Sequence, residues 1–80
     1  MTKTEQKLIQ LAQRNGGRYS VNTCHGRGPR GGRVSGGARE RDAMYRLEQA
    51  GLVRIVDRQP WQDINRGYAQ SGTSFVFRLI

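Results

Sequence analysis

The chain has 80 residues, 35% of them hydrophobic, a formal net charge of +8 and a pI near 11.1. That length builds one small domain, spanning 1–80, with a small core, and no apolar run approaches the length of a membrane span. Of the 14 basic residues only Lys3 and Lys7 are lysines; arginine makes planar, bidentate contacts to phosphate and guanine edges, so the expected partner is nucleic acid and not a membrane.

Cys24 is the single cysteine, which leaves no intrachain disulfide and fits a reducing compartment. Gln10 and Gln13 interrupt the N-terminal apolar positions, so no secretory signal is read there. The expectation is a soluble cytoplasmic protein, nucleoid-associated if the source is a bacterium or phage.

Residues 2–15 read as a first helix. Thr2 and Glu5 have the spacing of a capping box, Leu8, Ile9, Leu11 and Ala12 form the apolar stripe, and Asn15-Gly16-Gly17 stops it. Lys7 and Arg14 fall on its solvated face. Residues 18–21 suit a short edge strand with Tyr19 and Val21 on one side.

Residues 22–37 hold glycines at 26, 28, 31, 32, 36 and 37, with Arg27, Arg30 and Arg33 at every third position between them. So much glycine disfavours a regular helix or strand. The segment is read as a flexible cationic loop that orders on a phosphate backbone; the alternative is a mobile loop whose charges only solvate it. Cys24-His25 resembles half a zinc site, but no further Cys or His exists to complete it. A lone His, a lone Cys and scattered carboxylates supply no acid–base pair. Neither an enzyme nor a cofactor is expected, and Asp57 and Asp63 read as surface charges.

Residues 38–50 form the second helix. Ala43, Met44, Leu47 and Ala50 make its buried stripe, while Arg41, Tyr45 and Gln49 face out with Asp42 and Arg46 at the edge. Ser35 or Gly37 caps its start and Gly51 ends it. Residues 52–58 and 73–80 follow as two arms of a hairpin. Phe75, Phe77 and Leu79 join Val53 and Ile55 under both helices, with Val56 and Val76 paired on the outer face. The connection 59–72 carries Trp61, Arg66 and Tyr68. Trp61 is read as a lid on the core or as a nucleic-acid contact, and Arg66 as a contact. Outward Val56, Val76 and Ile80 would offer a small homodimer surface.

The order helix, short strand, loop, helix, strand and long hairpin resembles the winged helix-turn-helix DNA-binding domain. The run Arg46-Leu47-Glu48-Gln49-Ala50-Gly51-Leu52-Val53-Arg54 looks like the end of such a domain's recognition helix entering its wing. The resemblance implies an α+β winged-helix-like fold with 38–50 as recognition helix and 59–72 as wing tip. That family's second helix falls where this chain has its glycine–arginine segment. Either a degenerate turn near 22–25 replaces it or the loop does.

The expected function is double-stranded DNA binding, as a small transcriptional regulator or accessory factor. Helix 38–50 would enter the major groove with Arg41, Tyr45 and Gln49 toward the bases and Arg46 alongside. Arg39 would meet a phosphate, Arg27, Arg30 and Arg33 would follow the backbone, and Arg66 would reach a flanking minor groove. RNA binding is one alternative. A small inhibitor or adaptor that grips an acidic protein surface is another.

Overall fold

The computed structural model describes residues 1–28, 30–65 and 68–80. It contains two helices and a curled antiparallel sheet of five strands: α1 (Lys3–Arg14), β1 (Arg18–Asn22), β2 (Cys24–Arg27), β3 (Arg33–Gly36), α2 (Ala38–Gln49), β4 (Val53–Asn65) and β5 (Tyr68–Leu79). No described helix is long and apolar enough to cross a membrane.

The helices begin and end by local rules. Thr2 Oγ1 accepts the Glu5 backbone N–H at 3.2 Å and donates to the Glu5 carboxylate at 3.1 Å. Leu8 and Ala12 of α1 are buried, and Ile9 and Leu11 half-buried. At the end of α2, Gly51 N–H donates to Glu48 O and Leu52 N–H to Leu47 O, both at 3.0 Å. This is the Schellman pattern. Ala50 is the C-cap and is exposed, not part of the buried stripe. Gly37 caps the start with φ +85° and no side-chain bond.

The expected winged-helix architecture does not form. Between β1 and α2 the chain builds the β2–β3 hairpin in place of a second helix, in register Cys24↔Gly36 to Arg27↔Arg33. The segment 22–37 is therefore mostly strand and not a free loop. Its glycines disfavour strand intrinsically, but β5 supplies a ladder for β2 to pair with, and tertiary pairing outweighs propensity. The wing-tip reading of 59–72 fails for the same reason. Residues 59–65 and 68–72 continue β4 and β5, which pair from Val53↔Leu79 to Asn65↔Tyr68. A strand rises about 3.3 Å per residue, so this hairpin sets the long axis of a molecule measuring 42 × 22 × 22 Å.

β5 is the central strand. β4 runs along one edge of it; β1 and then β2 run along the other. Arg18↔Arg78, Asn22↔Ser74, His25↔Ser71 and Arg27↔Ala69 all keep one register, so β1 and β2 behave as a single strand with a kink at Thr23. There Thr23 N–H donates to Thr73 O at 2.9 Å. Thr73 N–H donates to Thr23 Oγ1, also at 2.9 Å. The hydroxyl takes the ladder position of the Thr23 carbonyl, which is turned over Gly72, where a Cβ would overlap it.

Both helices cover one end of one sheet face. Leu8 and Ala12 meet Ala43, Met44 and Leu47 above Val21, Val53, Phe75 and Phe77. A fully buried Phe such as Phe77 stabilises by roughly 1.5–3 kcal/mol. Val56 does not pair with Val76. A register shift between Ile55 and Asp57 leaves Val56 as the extra residue of a bulge, 41% exposed, and Val76 faces Asp57. Trp61 is not a core lid: it lies outside the buried cluster and pairs with Gly72, its ring beside the space a Gly72 side chain would fill.

Gly72→Ala should destabilise by roughly 1–3 kcal/mol, the usual cost of overpacking. Gly32→Ala, with nothing within 4 Å of the added Cβ, serves as the near-neutral control. Urea midpoints of the two variants measure the difference.

Candidate nucleic-acid interface

Strand register decides which side chains share a face. Tyr19, Val21, Phe75 and Phe77 point to the helices. Alternation along the same strands places His25, Arg27, Ser71 and Ala69 on that face, beyond the helices' cover. Pairing of β2 with β3 adds Arg33 and Ser35, and pairing of β4 with β5 adds Gln62. The side chains of His25 and Ser71 touch, with Nε2 3.1 Å from Oγ.

The start of α2 overhangs this floor. Gly37 lies against the Asn22–Thr23 kink so closely that a Cβ would overlap the Asn22 carbonyl. Arg39 and Arg41 are thereby held at the rim of an open basin of about 960 Å³ floored by His25, Ser35, Gln62 and Ser71. That volume lies within the range of ligand clefts and exceeds what a single ion needs. Arg39 also borders a recess on the α1 side, with Lys3 and Lys7. His25 and Ser35 are shared with a further recess that contains Arg27 and Arg33. Arg33 continues to the hairpin end with Arg30. The recesses adjoin, so one cationic groove runs from α1 past the head of α2 to the tip of β2–β3. Among the described residues Glu40 is the one carboxylate on these walls.

The side chains expected on a recognition helix are disposed differently. Arg46 Nε donates to Glu5 Oε1 at 2.9 Å and ties α2 to α1. Tyr45 is half-buried, edge-on to Phe75 with centroids 5.9 Å apart. Its hydroxyl accepts from Arg58 at 2.9 Å, and the Arg58 guanidinium sits 5.4 Å from the Phe75 centroid. Arg41 Nε meets Asp42 Oδ1 at 3.2 Å. Glu48 Oε2 accepts the Ile55 N–H at 3.1 Å. The outward row of α2 is left with Gln49 beside Asp42, both exposed. Tyr45 and Arg46 hold the helix in place, and carboxylates interrupt its basic face. Arg27, Arg30, Arg33 and Arg39, by contrast, are exposed. Arg66 lies outside the described residues, as does the side chain of Tyr68. Among the described residues no group of three His, Cys, Asp or Glu side chains could hold a metal ion.

Lys3, Lys7, His25, Ser35, Gln62 and Ser71 were not expected at the site. The signal for the strand residues was the alternation His25, Arg27 and Arg33, Ser35, a period of two. The spacing of three in Arg27, Arg30 and Arg33 obscured it.

The bond from Arg46 holds the Glu5 carboxyl below its ordinary pKa, with the Thr2 hydroxyl adding to the shift against partial desolvation. A depressed carboxylate stabilises the fold above its unfolded pKa, and that contribution is lost as pH falls through the folded value. The gap in Tm between the protein and Glu5→Gln should therefore be constant at neutral pH and close on acidification below the ordinary glutamate range. Thermal melts across pH would show it.

No protein-family model, curated protein or solved structure matches the chain.

Proposed function

We propose that the protein binds double-stranded DNA by laying its curled sheet, and not a recognition helix, against the phosphate backbone, as an accessory or regulatory factor acting on duplexes. The observation that carries this reading is the groove itself. Lys3, Lys7, Arg39, Arg33, Arg27 and Arg30 border recesses that share lining residues one with the next, with Glu40 as the opposing charge. Such a track fits a linear polyanion better than a compact ligand.

The edge-on packing of the described tyrosines favours a duplex over single-stranded RNA or DNA. Proteins that hold single strands stack bases on exposed aromatic rings. Here Tyr19 and Tyr45 pack edge-on against Phe77 and Phe75, and the Trp61 ring lies beside Gly72. Tyr19 and Trp61 each border one of the recesses, and both are half-buried. The β2–β3 hairpin, at the edge of the sheet, ends in Arg30. Gln62 and His25 on the basin floor are hydrogen-bonding groups for base edges or sugar.

Backbone contacts release counterions, so binding should weaken steeply with salt, each phosphate contributing about −0.9 to the slope of log affinity against log salt. Arg27→Ser with Arg33→Ser should reduce that slope by about 1.8, whereas Gln49→Ala should leave it unchanged. Fluorescence anisotropy of a labelled duplex over a salt series reads both. An unaltered slope in the double variant would refute the groove. Matched RNA competing better than DNA would favour RNA as the ligand, and an acidic protein displacing the duplex with no salt dependence would favour the adaptor reading.

A further inference from the structure

The sheet has a second face, which no helix covers. On it the register sets Arg18 opposite Arg78 and Arg78 opposite Arg54. Arginine thus occupies the same rung on β1, β5 and β4, and all of these side chains are exposed. Like charges directly opposite on neighbouring strands destabilise a sheet. The next outward carboxylate along β4 is Asp57, beyond the bulge. Its Oδ1 already accepts from the Arg58 N–H at 2.9 Å and from Gln59 Nε2 at 3.3 Å. The rest of this end of the face is uncharged: Ser20, Asn22 and Ser74, with Ser74 Oγ bonded to Asn22 Oδ1 at 2.6 Å. The arginine rung is therefore a concentrated positive bar at one end of this face, whose carboxylates Asp57 and Asp63 lie farther along β4.

We propose that this rung is a second nucleic-acid contact, which takes the phosphate backbone of a separate duplex segment, so that one copy of the chain joins two segments through opposite faces of its sheet. The inference rests on the duplex-binding reading of the groove. The occupant is argued from charge and spacing. Two strand spacings cover about 10 Å, and a duplex carries one phosphate charge per roughly 1.7 Å of axis, so several phosphates lie within reach of three forked guanidinium groups. The groove's cations lie on the helix-bearing face or at the hairpin tip, and the rung points away from them. A single straight duplex seated in the groove does not also cover the rung.

The test is a sandwich capture with the full chain. One duplex is immobilised, protein is bound at limiting amount, and a second, fluorescent duplex of different sequence is offered. The unaltered protein should retain the second duplex. The triple variant Arg18→Ser, Arg54→Ser, Arg78→Ser should bind the immobilised duplex within about twofold of the original affinity, as expected for distant independent sites. It should lose capture of the second to the protein-free background. Its Tm should hold or rise, because repulsion on the rung is relieved. A lower Tm would show that the arginines are structural and would overturn the proposal. So would capture that persists in the triple variant, since self-association would then be joining the duplexes. Binding of one duplex without capture of a second by the unaltered protein would overturn this inference alone. No binding of any duplex, with Arg27→Ser and Arg33→Ser variants indistinguishable from the parent, would overturn the groove reading as well.

Discussion

The contact between the Asn22–Thr23 peptide and the glycines at 37 and 72 is the constraint on which the molecule turns. A side chain at either glycine would overlap a carbonyl of that segment. At Gly72 the close approach lets Thr23 rotate its carbonyl out of the ladder while its hydroxyl keeps Thr73 paired. The strand that begins under the helices can then continue along β5 without losing register. At Gly37 the same segment receives the start of α2. One kink thus joins the packed end of the sheet to its open arm and fixes where the helix begins.

The charges separate along the same line. Near the core, cations serve the fold: Arg46 bonds Glu5, and Arg58 lies over Phe75 and holds the Tyr45 hydroxyl. These contacts place stems and rings over apolar surface while leaving the charged heads partly wet. Farther out, no core is available to pack against, and Arg27, Arg30 and Arg33 project from a thin hairpin into solvent.

The arrangement also divides stability. The buried residues gather beneath α1 and α2, at the end of the sheet formed by β1, the start of β4 and the end of β5. The β2–β3 hairpin depends on backbone pairing and on few buried side chains, a low-stability condition in which local opening is cheap relative to global unfolding. Under the proposed duplex binding, this would let the arm adjust its twist without disturbing the core that anchors it. Pro60 lies on β4, which among the described strands pairs only with β5. There its missing N–H costs no ladder bond and discourages another strand from adding to that edge.

Local chemistry alone was enough for much of the chain. Thr2 and Glu5, the stripe of Leu8 and Ala12, the glycine after α2 and the alternation of Phe75, Phe77 and Leu79 act over a few residues, so their outcome is readable from spacing. The strong positive charge was equally plain. What spacing could not supply was partnership. Glycines at 26, 28, 31 and 32 argue against a strand until β5 offers a ladder, and residues 59–72 look like a turn until their pairing is known. Tyr45 and Arg46 look free on a helical wheel because a wheel does not show Phe75 and Glu5 arriving from elsewhere. Sequence determined which segments are amphipathic and that the surface is cationic. Only the tertiary structure decided which cations are consumed and which face outward, because a strand's face and a charge's partner are set by residues distant in the chain.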